Sequence, residues 1–271
     1  MSDSPQRYLL YSHDTYGLGH FRRSALIAGG IVASSPTAQV LIATGSPRAQ
    51  AFSLPERVDS LKLPSVTKDS SGRYQPRKIT ADIDELVDLR AGLLVAACVQ
   101  FRPDVIVVDQ APTGMAGELI PMLRAARHLS TTPRLVLGLR DVVDDAAAVE
   151  AQWSRHHEWE WLERYDDVAV YADEHVLSTA AELSLASRLP ARVTHTGYVA
   201  PNMPDPTDCE PYVLVTPGGG GDGQMLIRRY LDAVDVVARA GLRSVIVTGP
   251  LMSSSRRAEL TVRSHGGPAS G

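Results

Sequence analysis

His20 is the residue on which chemistry can be built. It directly follows the turn His13-Asp14-Thr15-Tyr16-Gly17-Leu18-Gly19, which in turn follows the short apolar run Tyr8–Tyr11. A strand, a glycine-bearing turn and a helix in that order form the entry to an open α/β domain, where ligands lie beyond the carboxyl ends of the strands. With a helix beginning near Leu18, the positive end of its dipole disfavours an imidazolium at His20. A neutral imidazole is what a general base needs at physiological pH. Asp14 or another carboxylate would orient its second nitrogen, and His13 is expected to shape the loop by hydrogen bonding. The competing reading has His20 only capping or packing the helix start.

Gly17 and Gly19 allow a tight turn and close approach of backbone to a ligand. The run Gly17-Leu-Gly19-His-Phe-Arg22 fails the dinucleotide fingerprint, which needs glycine where Arg22 stands. The second strand ends Ala43-Thr44-Gly45 without an acidic residue for a ribose, so an NAD-dependent oxidoreductase is disfavoured. Arg22 and Arg23 suit either an anionic acceptor or solvent.

A second glycine loop, Gly218, Gly219, Gly220 and Gly221 followed by Asp222 and Gly223, comes after the apolar run Tyr212–Thr216 and before a helical pattern. Backbone N–H groups at such a helix start can cradle a phosphate. No Lys-Ser/Thr follows, which argues against an ATP- or GTP-hydrolysing P-loop. Asp109 and Arg140 stand at the ends of two further strands and would face the same crevice in a parallel sheet. Asp109 suits a hydroxyl, and Arg140 suits either a ligand or a loop carboxylate at Asp141 or Asp144. Asp82-Ile-Asp84 falls inside a helical pattern and reads as solvated surface, and no His/Cys/carboxylate set has metal-ligand spacing. Cys98 lies in an apolar helical run and reads as core. Trp153, Trp159 and Trp161 with His156 and His157 read as a packing helix.

These residues require a scaffold of alternating strands and helices. Apolar runs place strands near 8–12, 39–44, 59–63, 104–109, 134–139, 167–171 and 192–196, with helices near 20–33, 79–101, 115–128, 147–163 and 176–187. Val105-Ile-Val-Val108 and Leu135-Val-Leu137 are continuously apolar, as in strands covered on both faces. The expectation is a mostly parallel α/β sheet. Residues 199–211 hold four prolines among polar neighbours and read as a linker. The domains expected are 1–198, a linker 199–211, and 212–271 with strands at 212–216 and 244–248 and helices at about 223–240 and 253–263.

The second unit is about half of a doubly wound domain and would leave apolar sheet surface exposed. The expectation is a C-terminally truncated product of a longer gene, with activity in this form left open by the sequence; the alternative is a partner chain over the exposed face. A net charge of −4 makes no electrostatic case for nucleic acid. Only three of 27 basic residues are lysines. The N-terminus lacks a signal-peptide apolar region, and the longest apolar run, Gly92 to Val99, is too short to span a bilayer. A cytoplasmic location is expected.

Together Ser12-His-Asp-Thr-Tyr-Gly-Leu-Gly-His-Phe-Arg-Arg23, Leu139-Arg-Asp141, Val170-Tyr-Ala-Asp173, Thr196-Gly-Tyr198 and Val213–Asp222 resemble a group of bacterial glycosyltransferases. That group is similar to the N-acetylglucosaminyltransferase of lipid-linked peptidoglycan precursor synthesis, and the likeness runs to about residue 260. The resemblance implies a GT-B fold of two Rossmann-like domains, the second incomplete here. It implies a metal-independent transfer of a hexose-type sugar from a nucleotide-sugar donor to a hydroxyl acceptor, lipid-linked or glycan, with no resident cofactor. It implies an acceptor-side N-terminal domain with Gly17, Gly19, Asp109 and Arg140, His20 as the base, and Gly218–Gly221 with Asp222 at the donor diphosphate. A location at the inner face of the membrane suits a lipid-linked acceptor. The alternatives are a GT-B-shaped sugar-nucleotide epimerase, or a non-catalytic binding module that keeps only the acceptor half.

Overall fold

A computed structural model describes residues 6–13, 18–69, 73–176, 178–201, 210–218, 223–249 and 252–265. The chain divides into two compact units, Met1–Pro201 and Asn202–Gly271. In the first, β1 (Arg7–Ser12) leads to α1 (Gly19–Ser34), β2 (Gln39–Thr44) and β3 (Val58–Lys62). A small antiparallel pair, β4 (Val66–Lys68) and β5 (Tyr74–Pro76), precedes α2 (Ile83–Phe101). Then come β6 (Val105–Asp109), α3 (Ile120–Ala126), β7 (Arg134–Arg140), α4 (Ala146–Arg155), α5 (Glu158–Leu162) and β8 (Asp167–Tyr171). Two short helices, α6 (Thr179–Glu182) and α7 (Leu185–Arg188), lead to β9 (Arg192–His195).

Seven strands form one sheet in the order β3-β2-β1-β6-β7-β8-β9, and every neighbouring pair is parallel. The order reverses between β1 and β6, which places a topological switch point beyond their carboxyl ends. Both faces are covered, as the apolar runs require. Leu9 and Tyr11 enter the larger core with Leu94, Ile106, Leu137 and Val168. Leu10, one residue out of phase, packs on the opposite face with Ile42, Phe21 and Ala28.

Several helices differ from their expected extents. α2 starts four residues later than the apolar spacing suggests, because Asp82 is its N-cap and Glu85 reaches back to the Asp82 backbone in a capping box. Asp82 is thus the cap of the helix rather than a residue inside it, and both Asp82 and Asp84 are exposed, as read from the sequence. The expected helix at 115–128 opens as a tight turn, Met115–Gly117, with left-handed backbone at Ala116 (φ 51°) and Gly117 (φ 80°), before α3 begins. The 147–163 helix breaks at His157 (φ 56°), and 176–187 breaks at Ser184 (φ 52°). The β4–β5 pair was not expected, being three residues per strand and without strong alternation. Cys98 is buried, as read from the sequence.

In the second unit β10 (Tyr212–Val215) is followed by α8 (Gln224–Asp232), α9 (Val234–Arg239), β11 (Arg243–Ile246) and α10 (Ser254–His265). β10 and β11 pair in parallel, and Val215, Ile227, Met252 and Leu260 form a small core. The expected 223–240 helix divides at Ala233. Leu214, Val245 and Val247 of this unit are exposed, as expected of a sheet with so few strands.

Candidate functional site

β1 and β6 deliver the two ends of one polar cluster to the switch point. Asp109 is the last residue of β6, and His20 lies in the first turn of α1, the helix that follows β1. His20 Nδ1 is 2.5 Å from Asp109 Oδ2. Arg23, one helical turn on from His20, donates to Asp109 Oδ1 from Nε at 3.0 Å and from Nη2 at 2.7 Å. Asp109 is only 6% exposed at its side chain. Burial by itself would raise its carboxyl, and the His20 and Arg23 contacts outweigh this and hold it below the usual carboxylate range.

That ionised carboxylate only accepts hydrogen bonds, so the proton of His20 sits on Nδ1. The approach of Arg23 Nη2 to the same nitrogen, at 3.1 Å, is then a contact between two donors rather than a hydrogen bond. His20 Nε2 has no hydrogen-bond partner among the described residues and keeps its lone pair. An imidazole oriented by a buried carboxylate, with the other nitrogen free, is the arrangement of a general base. Asp109 fills the orienting role, as the other carboxylate that reading allowed for; Asp14 lies outside the described residues. Arg23 is neither solvated nor free for an anion, because Asp109 takes its fork.

The cluster is backed by aromatic and polar groups. The Arg23 guanidinium lies 5.5 Å from the centre of the Tyr171 ring at the end of β8. That ring occupies the space above Gly138 in β7, where an added Cβ would stand 2.0 Å from the Tyr171 hydroxyl. The His13 ring sits edge-on to His20, 5.8 Å between centres, and packs 6.2 Å from Tyr11. His13 is 9% exposed and its Nδ1 has no partner among the described residues, while the loop it was expected to shape, 14–17, lies outside them. Burial first, then neighbouring His20, push its pKa down to about 3, so it is neutral. Beneath it the Tyr11 hydroxyl donates to Glu118 at 2.7 Å, and Arg90 grips the same carboxylate from Nε at 2.5 Å and Nη2 at 2.6 Å.

Beside this cluster opens a cavity of about 480 Å³, lined among others by His13, Gln110, Thr113, Trp153 and Glu158. Gln110 follows Asp109 and has left-handed backbone (φ 70°).

The remaining expected site residues are placed as follows. Gly19 opens α1 with ordinary backbone, and a Cβ there would meet nothing within 4 Å. Its own turn therefore does not require glycine, while the open space beside it leaves room for an approaching ligand. Arg140 donates from Nη2 to the Val143 carbonyl at 2.6 Å and so holds the loop after β7, through a carbonyl rather than the expected carboxylate. Gly218 has left-handed backbone (φ 61°), and Gly223 lies so close to Pro217 that a Cβ would overlap its ring. Gly17, Gly219, Gly220, Gly221 and Asp222 lie outside the described residues. Sequence reading did not single out Tyr11, Arg90, Glu118 or Glu158; buried ionic partners that far apart in sequence carry no local pattern. No group of three or more metal-ligating side chains converges among the described residues, and no helix among them is long and apolar enough to cross a membrane.

No family model and no curated protein matches the chain. Solved structures do match in fold. A protein from Listeria monocytogenes described as a UDP-N-acetylglucosamine 2-epimerase aligns with a TM-score of 0.56 at 9% identity, over 97% of this chain and 67% of that one. The glycotransferase of kitacinnamycin aligns at 0.52 and 16% identity, over 92% and 67%. Medicago truncatula UGT71G1, crystallised with UDP-glucose, aligns at 0.51 and 10%, over 96% and 70%. The chain thus spans about two thirds of the length of each of these. At such identities the likeness speaks to fold alone: the chain has an α/β fold of the GT-B type, with its seven-stranded parallel sheet in the first unit and two parallel strands in the second.

Proposed function

We propose that this chain belongs to a GT-B glycosyltransferase that moves a hexose-type sugar from a nucleotide diphosphate to a hydroxyl acceptor. The observation that carries the reading is the His20–Asp109 pair at the switch point, with Nδ1 committed to the carboxylate and Nε2 free. His20 Nε2 takes the proton of the acceptor hydroxyl as its oxygen attacks the anomeric carbon. The bond from that carbon to the diphosphate breaks, and the diphosphate leaves with the electron pair. Asp109 holds the imidazole in the required tautomer and balances the imidazolium that forms. Arg23 fixes Asp109, and Gly19 leaves room for the acceptor. In this reading the loop from Gly218 to Asp222 meets the departing diphosphate through backbone N–H groups and the start of α8, with no metal ion called upon. The donor is a UDP-sugar, the chemistry named for UGT71G1. Which sugar, and whether the acceptor is glycan or lipid-linked, belong to the same proposal.

The test is UDP release from UDP-sugars in the presence of hydroxyl acceptors. His20→Ala should lower turnover by about 10²–10⁴-fold with donor affinity unchanged. Asp109→Asn should lower it through the same nitrogen. Unchanged turnover in His20→Ala removes His20 from the reaction. The likeness to the Listeria monocytogenes protein makes an epimerase the second reading. It predicts conversion of the UDP-sugar to its epimer with no acceptor present. A chain that retains a glycan yet neither binds nor turns over a UDP-sugar would instead be a binding module.

A further inference from the structure

The run Val170-Tyr-Ala-Asp173 has no part in the transfer as described, yet Tyr171 reaches the centre of it. Tyr171 ends β8 and stands in register with Arg140 of β7. Its ring leans back over Gly138, two residues earlier on the same face of β7, where an added Cβ would overlap the phenol. Gly138 is in turn the in-register partner of Asp109. A glycine inside a strand weakens it and marks a place where another group comes close. Here that group is a ring brought from β8 across β7 toward Asp109. Burial and then the Asp109 charge push the phenol well above its ordinary pKa, with Arg23 opposing, so the ring is neutral.

What the ring meets there is Arg23. The guanidinium lies 5.5 Å from the ring centre, within cation–π range. The same guanidinium gives Nε and Nη2 to Asp109 Oδ1. A guanidinium is planar, so its edge and its face serve two partners without competition. The arrangement is nearly dry: Tyr171 is 7% exposed, and the Arg23 and Asp109 side chains are 17% and 6%. Such contacts strengthen as water is removed. The Tyr171 hydroxyl has no hydrogen-bond partner among the described residues, so the ring is the part in use. Without the ring, one face of the guanidinium opens to water and the fork loosens. The Asp109 carboxylate can then turn, and Oδ2 no longer stays beside His20 Nδ1.

We infer that Tyr171 is a positioning residue for His20: its ring, lying over Gly138, holds Arg23 on Asp109 and so keeps the Nδ1 proton of His20 on that carboxylate, with Nε2 bare. The inference rests on the reading of His20 as the base only for its effect on turnover; the effect on the tautomer belongs to the contacts themselves. Packing over Gly138 asks for bulk alone, and leucine at 171 would serve it as well as tyrosine. Holding a guanidinium asks for an aromatic face, which phenylalanine offers and leucine does not.

The experiment is nitrogen NMR of the full chain labelled at its histidines, with His20→Gln to assign the ring and thermal unfolding to check that each variant folds. The parent is expected to show His20 protonated at Nδ1 and bare at Nε2. Tyr171→Phe should keep that state. Tyr171→Leu should raise the share protonated at Nε2 about tenfold, the order of one desolvated cation–π contact. Gly138→Ala, which displaces the ring and leaves Tyr171 in place, should do the same. With Arg23→Gln already present, Tyr171→Leu should add nothing, because the contact it removes is gone. The parent tautomer in a folded Tyr171→Leu or Gly138→Ala chain overturns the inference, as does Tyr171→Phe behaving like Tyr171→Leu, or additivity with Arg23→Gln. If Tyr171→Leu does not fold, Gly138→Ala and Tyr171→Phe decide. UDP-sugar turnover is measured in parallel, where Tyr171→Leu should lower kcat about tenfold with the donor KM unchanged. An unshifted tautomer sinks this inference and leaves the glycosyltransferase standing. A shifted tautomer in a chain without turnover keeps the role of Tyr171 toward His20 and sinks the transferase. A parent with His20 bare at Nδ1 overturns both.

Discussion

Asp109 shows how much one buried carboxylate organises. It orients His20, absorbs the Arg23 fork, and is itself kept ionised by both. The Arg23–Tyr171 contact depends in turn on a glycine two strands away from β1, because only Gly138 leaves space for the Tyr171 ring. Gly138→Ala should therefore push that ring off β7 and destabilise the protein by about 1–3 kcal/mol, as overpacking does. Thermal unfolding checks this, and adding Tyr171→Leu to the same chain should recover most of the loss. An unchanged melting temperature would mean that the ring is free to move elsewhere. His20 and its glycine turn were legible from residue order alone, since a strand–turn–helix signature is local. Asp109 was legible only as one of several strand-end residues; nothing local pairs it with His20, 89 positions away.

At the level of elements, α2 and the turn after β6 are joined by a buried ion pair. Arg90 is 1% exposed and Glu118 likewise, and Arg90 also donates from Nη1 to the Pro64 carbonyl at 2.5 Å. This pair fixes the segment Gly114–Glu118, whose Gly114, Ala116 and Gly117 line the cavity. Glu118→Ala leaves a guanidinium buried without its partner and should cost about 3–5 kcal/mol. Arg90→Met with Glu118→Leu should restore much of that stability in chemical denaturation, since neither charge then remains to be paired. If the double variant is as unstable as the single one, the Tyr11 and Pro64 contacts matter more than the ion pair. The strands here were legible because both faces of the sheet are apolar. Helix breaks at His157, Ser184 and Ala116 were not, because each is a non-glycine residue in left-handed backbone that packing imposes against its own preference.

For the molecule as a whole, His13 makes the fold sensitive to acid. Its pKa falls from 6.5 to about 3 on folding, through burial and then the neighbouring His20, with Asp109 opposing and Lys68 and Arg90 assisting. A depressed folded pKa on a base means that the unfolded chain binds the proton first. The stability associated with His13 is thus complete above pH 6.5 and is lost as the pH falls from there toward 3. Asp109, held low by its partners, adds a loss in the same direction at pH values below the ordinary carboxylate range. His13→Phe should flatten the decline between pH 6.5 and 4 in urea denaturation series; a decline as steep as in the parent would assign it to other groups. The sequence by itself determined the parallel α/β architecture, the strand–turn–helix entry that carries His20, and the absence of a dinucleotide fingerprint, because apolar periodicity and glycine spacing are local properties. Only the tertiary structure decided that Asp109 orients His20, that Arg23 is spent on Asp109, that Arg140 holds a loop, and that His13, Gln110 and Glu158 meet around one cavity. Those contacts join strands and helices far apart in the chain, and their partners are selected by the sheet order, which brings β1 beside β6.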